Sequence, residues 1–220
     1  MSIRVFKPSP IIAGYQAKRI DKLSRVSQEN DFPTIPKNAA LVVIDMQKGF
    51  DNPLWGNRNN PDLNNNVEAL LKAWRDTGRP VVHVQHCSIE PNSVLRSELE
   101  SCNFYDFAKP QDGEVVFEKN VNSCFTGTNL EDYLRENKID TLVMAGLSSD
   151  HCVSTSTRLA ANLGFINYLV SDATATFDKT GTDKNKTVYS AQNIHETSLA
   201  SLNNEFAFVT NTKRILELLE

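Results

Sequence analysis

The stretch AALVVIDMQ, residues 39–47, is apolar without a break until Asp45. A run with no polar alternation has no face to give to water, so it reads as a strand buried on both sides. Such a strand needs cover above and below, and the sequence supplies it. A helix reads from about Asn60: Asn60 can cap it, Pro61 suits its first turn and Gly78 can end it. Leu63, Val67, Leu70, Leu71 and Trp74 fall on one face of that helix. Further strands read at 79–87, 114–119, 140–147, 166–173 and 205–210. Between them a helix follows Thr128, which forms a capping box with Glu131. Others run through Cys152 to Gly164 and over 188–202, and a short one closes the chain. Alternating strands and helices imply α/β architecture: a three-layer α/β/α domain on a mostly parallel, Rossmann-like sheet of about six strands. The domain is expected over residues 38–220, with a polar extension at 1–37 packed on it. Residues 88–112 read as a long loop with short helical pieces, the kind of segment that often binds or covers a ligand.

A hydrophobic content of 40% lets 220 residues bury a core without disulfides or metal. The net charge of -4 argues against a general nucleic-acid binder, which needs a basic surface. No apolar run is long enough to span a membrane, and the first residues lack the pattern of a secretory signal. Cys87, Cys102, Cys124 and Cys152 are scattered, with no C-x-x-C pair, so reduced thiols in a cytoplasmic protein are expected. The expected partner is a small-molecule substrate, with neither nucleic acid nor membrane involved.

In an open parallel sheet the ligand sits beyond the carboxyl ends of the strands. That rule brings three residues to one edge. Asp45 closes the first strand, Lys119 the third, and Cys152 follows the fourth in the turn GLSSDHCV. A helix start favours negative charge and so lowers a thiol pKa. Each residue alone has a plainer reading: Asp45 as a turn cap, Lys119 as a solvated lysine, Cys152 as a core thiol. Together they form a nucleophile with an acid/base partner and a cation, a set suited to acyl transfer. Phe50, Trp55, Phe104 and Phe125 are candidates for apolar pocket walls, with Gln47 and His86 as polar members. Asp150 reads as a cap on the helix after it, His151 as a packing residue, His195 as a helix-face residue and Cys87 as a buried free thiol.

The segments LVVIDMQKGF, VFEKNVNSCFTGTNLEDYLRENKIDTLVMAGLSSDHCVSTSTRLAANLGF and YLVSDATATFD resemble the isochorismatase-like cysteine hydrolases, over roughly residues 38–210. That group includes nicotinamidases, N-carbamoylsarcosine amidases and ureidoacrylate amidohydrolases. The resemblance implies a catalytic set of Asp45, Lys119 and Cys152. It also implies a cis peptide at Leu147–Ser148 and an oxyanion hole made by the backbone N–H groups of Ser148 and Cys152. The implied activity is hydrolysis of a small amide or ureido C–N bond through a Cys152 thioester, in a homo-oligomer. Nicotinamidases carry a histidine-rich metal site after the first strand. MQKGFDNPLWGNRNN has no histidine, and His83 and His86 fall on opposite faces of their strand, so neither metal nor other cofactor is expected. Two alternatives stand beside this reading. One is isochorismatase-type vinyl ether hydrolysis, which in that group needs no cysteine. The other is a non-catalytic protein that uses the thiol for binding or redox sensing. A dinucleotide site is excluded, because DMQKGF follows the first strand where a glycine-rich phosphate turn would be needed.

Overall fold

The computed structural model of this chain describes residues 35–219. The extension expected at 1–37 lies almost wholly outside the described residues. The strands are β1 (Ala40–Ile44), β2 (Val81–His86), β3 (Val115–Lys119), β4 (Thr141–Leu147), β5 (Ile166–Ala175), β6 (Lys179–Thr180), β7 (Val188–Tyr189) and β8 (Phe208–Thr210). The helices are α1 (Leu63–Asp76), α2 (Leu130–Glu136), α3 (Cys152–Asn162), α4 (Ala191–Leu202) and α5 (Thr212–Glu217). Six strands make one sheet in the order β3-β2-β1-β4-β5-β8, and every pairing in it is parallel. β6 and β7 form a separate antiparallel pair.

β1 lies inside the sheet and is buried along its whole length, as its unbroken apolar run requires. Its side chains alternate between two cores. Leu41 and Val43 pack with Leu63, Val67, Leu70, Leu71 and Trp74 of α1 and Ile215 of α5. Ala40, Val42 and Ile44 pack with Leu130 and Leu134 of α2, Val153 and Ala160 of α3, and Leu199 and Leu202 of α4. The result is the three-layer α/β/α fold. Trp74, fully buried, donates its indole N–H to Ala39 O at 3.0 Å and so pins α1 to the start of β1. Among the described residues, no helix is long and apolar enough to cross a membrane.

Several local expectations differ from what forms. Asn60 does not cap α1; it takes φ 48° and its side-chain amide donates to Ser171 O at 2.9 Å and Thr174 O at 2.6 Å. Asp62 stands at the cap position without a capping bond. Thr128 accepts from Leu130 N at 3.3 Å and donates to Cys124 O at 2.6 Å, while Asn129 holds the N-cap position of α2, so the box with Glu131 does not form. The helix expected from 188 starts at Ala191, capped by Ser190, because residues 188–189 belong to the β6–β7 hairpin.

Gly146 sits where β4 shifts register against β5, at φ 118°. A Cβ there would lie 2.0 Å from Ile44 O in β1, so only glycine lets the two strands approach this closely. Gly146→Ala is therefore expected to destabilise the domain by about 3 kcal/mol or more. Urea unfolding measures this; a variant within about 1 kcal/mol of wild type would show that β1 and β4 can part locally.

Candidate active site

The sheet register assembles the site. His86 and Lys119 are paired across β2 and β3, so both strand ends finish level. Ile44 pairs with Val84 on one side and Gly146 on the other. Asp45 extends β1 by one more hydrogen bond, its N–H donating to Val84 O at 2.9 Å. Its φ of 52° then turns the chain away, a left-handed conformation that aspartate tolerates better than most side chains. On the far side of β1, β4 delivers the SSDH turn and then α3, whose first residue is Cys152.

These ends meet at the Lys119 ammonium, which is fully buried with Asp45. Lys119 Nζ lies 2.7 Å from Asp45 Oδ2, 3.3 Å from Cys152 Sγ and 3.0 Å from His86 Nδ1. An ammonium has three N–H donors, so these contacts use them all. Burial works against the charge on Lys119, but Asp45 and Cys152 together outweigh it and hold the ammonium above its ordinary pKa. Asp45 Oδ1 is buried and has no partner among the described residues. Cys152 Sγ in turn has Asn122 Oδ1 as an acceptor at 3.8 Å.

The expected lowering of the Cys152 pKa by its helix start does not survive in this setting. Burial and then the Asp45 carboxylate push the thiol well up, against the pull of Lys119. Burial and the carboxylate thus both favour the protonated form of the thiol. The Leu147–Ser148 peptide is cis. Among the described residues, the backbone N–H groups of Ser148 and Cys152 have no hydrogen-bond acceptor, while Ser148 O accepts from both His151 N and Val153 N at 3.1 Å.

Asp45, His86 and Cys152 offer ligand atoms within 4.8 Å of one another, a spacing that a metal ion could bridge. Lys119 Nζ is hydrogen-bonded to all three, so the ammonium already stands where that ion would sit. The donor set does not fit a metal while Lys119 is charged. His83, the other histidine on β2, faces the α1 side, with Nε2 2.8 Å from Glu114.

Other expected members fall in different places. Gln47 is fully buried and offers nothing to a ligand. Its amide instead braces the end of β2: Oε1 accepts from His86 N at 2.8 Å, and Nε2 donates to His86 O at 3.0 Å and Cys102 O at 2.7 Å. Phe50 and Trp55 join Phe177 in one aromatic cluster, with ring centroids 5.0–6.1 Å apart. Phe125 lies in the core that holds Cys152 and stacks on Phe165. Phe104 packs edge-on against His83 and bridges to Gln47. Asp150 does not cap α3; it accepts from Thr176 Oγ1 and pairs with Lys179 at 3.2 Å, while half-exposed His151 holds the cap position. His195 lies on the inner face of α4, 2% exposed, with Nδ1 2.7 Å from Ser149 Oγ in the turn that precedes Cys152. Cys87 is half-buried, its sulfur 4.0 Å from that of Cys102, and burial pushes its thiol up to about 12.

The description "Isochorismatase domain" matches residues 39–214. The chain belongs to the isochorismatase family. The isochorismatase family protein YrdC of Bacillus subtilis is 45% identical over 177 residues, which cover 80% of this chain and 94% of that one. N-carbamoylsarcosine amidase of Arthrobacter is 33% identical over 117 residues, 46% of this chain and 44% of that one. A solved isochorismatase-family structure from Chromobacterium violaceum superimposes with a TM-score of 0.81 at 39% identity, covering 86% of this chain and 98% of that one. The protein is thus an isochorismatase-family hydrolase.

Lys119→Met strands a buried carboxylate, for which the expected cost is about 3–5 kcal/mol. In urea unfolding the Asp45→Asn/Lys119→Met pair is expected to recover most of that loss; equal losses in single and double variants would deny the coupling. The thiol supplies a second measurement. Asp45→Asn removes a charge that raises the Cys152 pKa, so alkylation of Cys152 is expected to start at lower pH than in wild type. An unchanged or higher onset would show that Asp45 does not govern the thiol.

Proposed function

We propose that this hydrolase cleaves the C–N bond of a small amide or ureido compound through a thioester on Cys152. The observation that carries the proposal is the meeting of Asp45, Lys119 and Cys152 from three separate strand ends, with Asp45 Oδ1 left unpartnered. Thiol and base both hydrogen-bond the one cation, with ligand atoms within 4.8 Å of each other, and these are the parts of an activated nucleophile. The amidase named among its relatives supports the same bond type.

The proposal gives each group a task. Asp45 takes the thiol proton as Cys152 Sγ attacks the substrate carbonyl. The carbonyl oxygen becomes an oxyanion between the free N–H groups of Ser148 and Cys152, where a pair of fixed donors is worth most. Collapse of that adduct breaks the C–N bond, and Asp45 returns its proton to the leaving nitrogen. Water then attacks the thioester, giving its proton to Asp45. Release of the acid restores the thiol. Lys119 stays charged throughout and balances whichever of Asp45 and Cys152 carries the negative charge. The rise of the resting thiol pKa suits this order, since deprotonation is coupled to attack and does not precede it. A vinyl ether hydrolase would leave the buried thiol at the centre of this cluster without a task.

The test is release of ammonia or amine from an amide and ureide panel. Cys152→Ala is expected to lower turnover by on the order of 10⁴-fold or more while thermal unfolding stays near wild type. Quenched wild-type reactions are expected to show Cys152 heavier by the acyl group in mass spectrometry. Turnover retained in Cys152→Ala would sink the proposal.

A further inference from the structure

His86 is the fourth group on the Lys119 ammonium, and the mechanism above gives it no task. Its ring is nevertheless tightly specified. Lys119 Nζ can only donate, so at 3.0 Å His86 Nδ1 must be the acceptor. Burial first, then the charge of Lys119, holds the ring below its ordinary pKa, against the opposing pull of Asp45 and Glu90. A neutral ring with an acceptor at Nδ1 carries its proton on Nε2. That N–H has no partner among the described residues, and the ring is half-buried at the open end of β2. The backbone is equally fixed, since Gln47 clamps both the N–H and the carbonyl of His86. A ring held at its backbone and at one nitrogen presents the other nitrogen in one direction. The chain therefore holds a single, oriented, uncharged donor beside the thiol.

We propose that His86 is a substrate-orienting residue, locked by Lys119 as the Nε2–H tautomer and donating that N–H to an oxygen acceptor, carbonyl or carboxylate, carried by the substrate next to the scissile carbonyl. This rests on the cysteine-hydrolase reading and narrows it to amides or ureides with a second oxygen function. The attacked carbonyl has its own donors at Ser148 and Cys152, so a further donor, carried by β2 and held by Lys119, is matched to a second acceptor. Discrimination follows from the same geometry, because a substrate lacking that acceptor would bury the Nε2–H unpaired.

Two measurements decide it. In ¹⁵N-labelled wild-type protein, the His86 ring is expected to show a protonated Nε2 and a bare Nδ1; a protonated Nδ1, or a ring nitrogen bound to a co-purified metal ion, would overturn the assignment. The second uses paired probes: an amide or ureide bearing a carboxylate one or two carbons from the scissile carbonyl, and the same compound with methyl in its place. Wild type is expected to prefer the carboxylate member by about 10-fold or more in kcat/KM. His86→Phe removes both the acceptor for Lys119 and the donor for substrate, and is expected to erase the preference. His86→Gln can supply an oxygen to Lys119 and an N–H to substrate, and is expected to keep most of it. A preference that survives His86→Phe counts against this role while leaving Cys152 chemistry intact. Turnover retained in Cys152→Ala would instead strike the underlying reading.

Discussion

The Lys119–Asp45 ion pair has no solvent to soften it, and the rest of the site depends on that fact. Two opposite charges withdrawn from water are costly unless they hold each other closely, and at 2.7 Å they do. Once paired, the ammonium has two further protons to place, and it places them on Cys152 Sγ and His86 Nδ1. One cation thus sets the position of a thiol from α3, a carboxylate from β1 and an imidazole from β2. Its own position comes from the last residue of β3, in register with His86. The sheet is the jig and the lysine is the pin.

Much of this was readable from sequence, for a simple reason. Residues 39–44 and 142–147 are apolar without alternation, which leaves little choice but central parallel strands, and the edge at which Asp45, Lys119 and Cys152 meet follows from strand direction alone. What was not readable depends on partners far away in the chain. Asn60 looks like a helix cap because its neighbours are helical; its true acceptors, Ser171 O and Thr174 O, lie 111 and 114 residues on. His195 reads only as a residue on a helix face, and the sequence cannot show that its face turns inward to Ser149, 46 residues earlier. Gln47 looks like pocket because it adjoins Asp45, but the end of β2 uses its whole amide. The β6–β7 hairpin was missed because residues 179–189 are charged and polar, with no period to mark them as strands.

The Cys152 thiol shows the same limit in energetic form. A helix start is a local feature and pulls the pKa down. Burial and the Asp45 charge are properties of the assembled fold and push it up by more. Local sequence therefore gives the sign of one contribution, while tertiary structure gives the sign of the sum. The outcome suits the proposed mechanism, in which a resting thiol resists stray electrophiles and reacts only as Asp45 receives its proton.

The strand order β3-β2-β1-β4-β5-β8 also has a consequence for how the chain is made. On the ribosome, β1, β2 and β3 emerge in turn and can pair as they come. The other edge of β1, which Gly146 must approach, stays open until Leu147 has left the exit tunnel, about a hundred residues later. Through that interval the nascent chain carries an unpaired, wholly apolar strand edge, the feature most prone to mispairing. The arrival of β4 closes that edge of β1 and brings Cys152 to Lys119, and it passes the open apolar edge on to β4 until β5 follows.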